Sequence, residues 1–181
     1  MLRRVKGTLL LVTASLMCAC QSPTEPTDLD YIDVSAPSSV SASGPSGRTY
    51  RIAATDTEPA KNVEYPWIAR VTISLRLTED ANNKDGKLDF PVLVTATTAT
   101  VQPASGGIVV PPPTGTQVYS EIVPFASSNQ FNAAGDTVNI TFDVYYDLPG
   151  GGKEALITFN FTFRDDDNNS FGDSAQVRVS P

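Results

Sequence analysis

Residues 67–78 read Trp-Ile-Ala-Arg-Val-Thr-Ile-Ser-Leu-Arg-Leu-Thr. Trp67, Ala69, Val71, Ile73, Leu75 and Leu77 fall on one side of an extended chain. Ile68, Arg70, Thr72, Ser74, Arg76 and Thr78 fall on the other. A period of two with one apolar and one polar side is the mark of an antiparallel strand, buried on one face and wet on the other. The same rhythm returns in Leu88, Phe90, Val92, Val94 and Ala96, and in Val138, Ile140, Phe142, Val144 and Tyr146. It returns again in Ile157, Phe159, Phe161 and Phe163, and in Ala175, Val177 and Val179. Ile32 with Val34, Tyr50 with Ile52 and Ala54, and residues 116–125 complete about eight strands.

The chain has 181 residues, 40% of them hydrophobic, which suits one core rather than two large ones. Fourteen prolines and twelve glycines favour turns over long helices. No stretch beyond residue 20 keeps a 3.6-residue period. The expectation is an all-β, antiparallel β-sandwich, with a jelly roll as the alternative. Pro91 points to a strand edge or bulge. The run Pro111-Pro112-Pro113 reads as a stiff polyproline crossover between sheets, or as a docking segment. The short Gly-rich loop at 147–154 predicts a hairpin that sets the rows of Phe142 and Phe159 side by side.

The first twenty residues are different in kind. Arg3, Arg4 and Lys6 precede an apolar run from Leu9 to Met17, too short to span a bilayer as a helix. Met17-Cys18-Ala19-Cys20 then gives way to the polar stretch from Gln21 to Asp28. This N-terminus resembles a bacterial lipoprotein signal peptide with its lipobox. The resemblance implies cleavage after Ala19, acylation (palmitate included) of Cys20, and attachment to the cell envelope. Gln21 in place of Asp implies the outer membrane, on its periplasmic or surface face. Met17 replaces the usual Leu, and Cys18 is a competing thiol preceded by a large residue. Residues 1–19 are thus read as signal peptide, 20–30 as a polar tether and 31–181 as the sandwich. The Ser/Pro/Gly-rich stretch 35–47 leaves Arg48 as an alternative start. The sandwich resembles the immunoglobulin-like class of bacterial surfaces, without its Cys…Trp…Cys hallmark.

Charge and composition exclude several functions. Net charge is −7, and it falls to −10 without the basic leader. Such a surface repels phosphate backbones, so no nucleic-acid partner is expected. The absence of His excludes imidazole bases, His-dependent triads and His metal ligands. Both Cys precede residue 21.

Two acidic loops are the candidate cation sites. One runs through Glu79, Asp80 and Asp85. The other runs from Asp165 through Asp166 and Asp167 to Asp173. Both offer the hard oxygens that Ca²⁺ prefers, but neither completes an EF-hand. Asp, Asn and Gly are equally good turn formers. If successive strands alternate in direction, both loops leave the sandwich at one end, with the loop at 126–136. That end is then either a solvated acidic pole or a Ca²⁺ site where Asp165, Asp167 and Asp173 converge, with Asp80 and Asp85 nearby. The leading functional expectation is a non-catalytic, lipid-anchored envelope module for interaction, adhesion or structure. Its partners are the membrane, through the lipid, and an envelope protein or polysaccharide. A carbohydrate-binding module using Tyr119 or Tyr145 is the alternative, and a carboxylate-based hydrolase is third.

Overall fold

A computed structural model describes residues 30–82 and 87–180. The signal peptide, Cys20, most of the tether and Asp85 lie outside the described residues. Twelve strands carry the fold: β1 Ile32–Ser35, β2 Ser39–Ser43, β3 Thr49–Ile52, β4 Lys61–Glu64, β5 Trp67–Leu77 and β6 Val92–Ser105. The rest are β7 Ile108–Val109, β8 Tyr119–Ala126, β9 Gln130–Phe131, β10 Thr137–Asp147, β11 Ala155–Arg164 and β12 Ser170–Ser180. Short 3₁₀ turns occupy Glu79–Asn82 and Pro149–Gly151.

The apolar faces read from the alternation are largely buried; β6 departs after Val94, where a bulge leaves Ala96 exposed and turns Ala99 and Val101 to the core. Ala69, Val71, Ile73, Leu75 and Leu77 of β5 are inaccessible to solvent, and Phe142, Phe159 and Phe163 match them. Hydrogen bonding orders one layer as β1–β5–β10–β8 and the other as β7–β6–β11–β12. In immunoglobulin lettering these orders read A-B-E-D and C′-C-F-G, and the fold is an all-β sandwich. The B and F strands carry Ile73 and Phe159 into the core, with no cysteine among the described residues.

Three features depart from the expectation. First, the pairing is mixed. Strand β2 pairs antiparallel with β5 through Ala42 and Ser43, and parallel with β12 through Ser39–Ser41. It stitches the two layers along one edge. Second, β10 and β11 do not form a hairpin. Pro149–Gly151 and Gly152 carry the chain across the sandwich instead, so Phe142 meets Phe159 face to face through the core, ring centres 4.8 Å apart. The aromatic rows are opposite layers, not neighbours in one sheet. Third, the expected strand over Leu88–Ala96 starts only at Val92, after the cis Phe90–Pro91 bond, and then runs on to Ser105.

The hairpin β3–β4 forms a separate two-stranded sheet. The chain reaches it through Gly44, where an added Cβ would lie 2.1 Å from the Pro66 carbonyl oxygen and 3.1 Å from the Trp67 ring. Any side chain there would push the hairpin away from the sandwich.

Candidate functional site

The two ends of the sandwich differ chemically. At one end lie the turns after β5, β8 and β11, as the pairing of these strands with β10 and β6 places them. Leu77 is bonded to the turn before β10, its amide donating to Asp136 O and its carbonyl accepting from the Gly135 amide. The Asp166 amide donates to Asp89 O at 3.1 Å, which ties the β11–β12 turn to the segment before β6. These turns do converge, and Asp89, Asp136, Asp165, Asp166 and Asp167 gather with them.

Each carboxylate has its own task there. Asp165 is buried, and its Oδ1 and Oδ2 accept from the Asn169 amide and side-chain nitrogen at 2.7 and 2.9 Å. Burial opposes its ionisation, but these bonds outweigh that cost and hold the carboxyl below its ordinary range. Asp136 Oδ2 accepts from the amides of Asn132 and Ala133. Asp167 lies against Asp89, and sharing a hydrogen bond with a second carboxyl raises its pKa. Asp80 sits in the 3₁₀ turn Glu79–Asn82. Asp173 lies on β12 opposite Phe161, not in the loop, and its Oδ1 accepts from the Ser174 amide. Among the described residues no three Asp, Glu, Cys or His side chains are placed to hold a metal ion. Asp165, one of the expected calcium ligands, accepts bonds from Asn169 on both carboxylate oxygens and closes a turn.

The sheet β1–β5–β10–β8 carries on its outer face, towards the opposite end, an aromatic patch that the sequence reading did not assemble. The hairpin β3–β4 lies across it. Tyr50 stacks on Tyr119 at 4.3 Å and tilts against Tyr65 at 4.7 Å, and Tyr65 reaches Tyr145 at 6.1 Å. The Tyr50 hydroxyl donates to Asp147 at 2.7 Å. Burial and that bond push its pKa upward, so it stays protonated. Arg48 lies over the Tyr145 ring at 5.1 Å and forks onto Glu121, its Nε donating to Oε2 at 2.7 Å. That bond holds the Glu121 carboxyl below its usual range. Beside them, Arg70 clamps the buried Asp143 through two bonds of 2.6 and 2.8 Å. The faces of Tyr119 and Tyr145 that a sugar would stack on are therefore occupied by Tyr50 and Arg48. Arg48, Tyr50 and Tyr65 lie more than fifty residues from Tyr119, and nothing in the local pattern joins them.

The end opposite the acidic turns is formed by the β6–β7 hairpin, the proline run and the β10–β11 arch. Glu154 holds it together. Its Oε1 accepts from the Gly107 amide at 2.7 Å, and its carbonyl accepts from the Ala104 amide. Among the grooves of the described residues are two on the sandwich surface. One, of about 230 Å³, runs between β6 and β8 and is lined by Val94, Thr97, Pro124 and Ile140 among others. The other, of about 530 Å³, lies beside Val40, Ile68 and Arg70. No carboxylate lines either of these two.

Comparison with family models, curated proteins and solved structures returned no match to this chain.

Proposed function

We propose that this chain is a non-catalytic, lipid-anchored module of the cell envelope, tethered through Cys20 to the outer membrane and presenting its far end to a partner. One observation carries the reading: where the tether meets the fold. Asp30 and Tyr31 are tied to the end of β5, Thr78 Oγ1 donating to Asp30 O at 2.6 Å and the Thr78 amide to Tyr31 O at 2.9 Å. The chain thus enters at the acidic end. The tyrosine patch lies towards the other end, and the proline-bearing hairpin lies at that end. Eleven residues from Cys20 to Asp30 reach at most about 40 Å when extended. An anionic lipid surface would repel the acidic end and hold the domain off the membrane. Several acyl chains together give stable attachment where one would not.

The test is metabolic lipid labelling with fractionation. Cys20→Ser should abolish labelling and release the protein in soluble form, while Cys18→Ser should leave it attached. Labelling that survives in the Cys20 variant would overturn the anchor.

A further inference from the structure

We propose that the β6–β7 hairpin and the prolines after it form a docking epitope for a protein with an aromatic-lined groove. The proposal rests on reading the chain as an interaction module, but it does not need the lipid.

The segment is exposed and apolar. Ile108 is 72% and Val110 44% accessible. Pro111, Pro112 and Pro113 are all exposed as well. Apolar side chains in such a run have no role in this core, and a run of them is what interaction sites present. The shape is fixed before any partner arrives. A proline locks its own φ near −65° and forces the residue before it into extended geometry. Val110, Pro111 and Pro112 each precede a proline, which favours a polyproline II rod over the run. Thr116 ends it by donating its amide and hydroxyl to Pro113 O. At its start the Val110 amide donates to Pro103 O at 2.8 Å, and Glu154 braces Gly107. Gly107 has φ of +78°, a left-handed conformation that glycine takes without strain and other residues rarely adopt.

The chemistry of the partner follows from what is missing. No charged residue occurs between Asp89 and Glu121, in a chain where 18% of residues are charged. The segment itself brings no charge to recognition; the nearest charges, Glu154 and Arg178, lie at Gly107, before the proline run. A preformed polyproline rod flanked by aliphatic side chains loses little entropy on binding, and rings stacked into a groove are the surface that grips it. The epitope sits at the end opposite the tether, where a partner meets it first.

Photo-crosslinking in the native envelope tests this. The full chain carries p-benzoylphenylalanine at Ile108 or Pro112, with Thr98 on the outer face of β6 as the control position. Two competitor peptides span residues 103–118, one native and one with Pro111, Pro112 and Pro113 replaced by serine. The expected result is a discrete protein adduct from positions 108 and 112 and none from 98. The native peptide should suppress it at least tenfold and the serine peptide should not, with little change between low and high salt. The crosslinked partner peptide should contain Tyr, Trp or Phe. No adduct, equal competition by both peptides, loss in high salt, or an adduct to polysaccharide or to a second copy of this chain would each overturn the proposal. Soluble Cys20→Ser protein added to the envelope should give the same adduct, so failure of the anchor and failure of the epitope are told apart.

Discussion

Phe142→Ala is the sharpest test of how the two layers meet. Phe142 lies on β10 between Val71 of β5 and Pro124 of β8, and solvent does not reach it. Its ring faces Phe159 at 4.8 Å and Phe161 at 6.2 Å from the opposite layer. A buried Phe removes about 150–250 Å² from water, and at about 25 cal/mol per Å² the loss runs to about 4 kcal/mol or more. Alanine keeps only the Cβ, and a packed sandwich relaxes little around the cavity, so a cost of about 3–5 kcal/mol is expected. That is a large share of a domain stability of about 5–15 kcal/mol. Phe142→Leu keeps most of the volume and loses the ring contacts, for about 1.5 kcal/mol. Phe125, 53% exposed on the edge strand β8, supplies the control, and Phe125→Ala should stay within about 0.5 kcal/mol. Urea denaturation of the Cys20→Ser protein, with the slope unchanged, gives all three values. A Phe142→Ala loss below about 1 kcal/mol, or one no larger than at Phe125, would refute the packing of β10 against β11.

The acid limb of stability should contain opposing terms. Asp143, held ionised chiefly by the Arg70 hydrogen bonds, has a lowered folded pKa, so its contribution is present above the ordinary Asp range and lost as pH falls through the folded value. Asp143→Asn should flatten that loss in melting curves taken between pH 5 and 2. Asp167 has the opposite sign: its pKa is raised beside Asp89, so its contribution fades as pH rises, and Asp167→Asn should raise the neutral-pH melting temperature. A fall would contradict the like-charge reading. Tyr50→Ala removes the stacking on Tyr119 and the bond to Asp147, and should speed proteolysis within residues 48–64 without moving the global transition. Because Asp165 closes a turn and Asp173 lies on a strand, millimolar Ca²⁺ or chelator should leave the melting temperature unchanged. A rise of several degrees with Ca²⁺ would show that the acidic loops rearrange around an ion.

What could be read from the sequence was which side of most of the long strands is buried, because a period of two survives any choice of neighbour, though not a bulge such as the one in β6. Phe159, Phe161 and Phe163 are the clearest case. Which strands pair was harder. The loop from Asp147 to Glu154 is short enough for a hairpin, yet it arches between layers, and no residue in it distinguishes the two. Strand β2 hid in a stretch of Ser, Ala and Pro that resembles a linker, and it forms because Ala42 and Val40 fill the seam between β5 and β12. Strand β4, Lys-Asn-Val-Glu, is too polar to announce itself and is held by pairing with β3. The convergence of the acidic turns was expected from parity over eight strands; twelve form and β1 runs antiparallel to β5, so the convergence rests on the alternation of β5, β6, β8, β10 and β11 alone. The tyrosine patch was not, since its members come from distant segments and meet only after the hairpin folds over the sheet.

The seam made by β2 has a mechanical consequence. Tension between a membrane-held N-terminus and a partner gripping the far end would enter the domain through β1 and run along its length. The four residue pairs of β1 with β5, the two of β2 with β5 and the three of β2 with β12 lie across that line. Sheet hydrogen bonds stand perpendicular to their strands, so these would be strained together, in shear, rather than opened one at a time. Because β2 is bonded to both layers, it cannot slide along one without dragging on the other. We expect a handle at residue 20 and another at residue 112 to give one high rupture force in single-molecule pulling. Val40→Pro should lower it by removing a donor from the seam, and a rupture force unchanged by that substitution would show that load passes elsewhere.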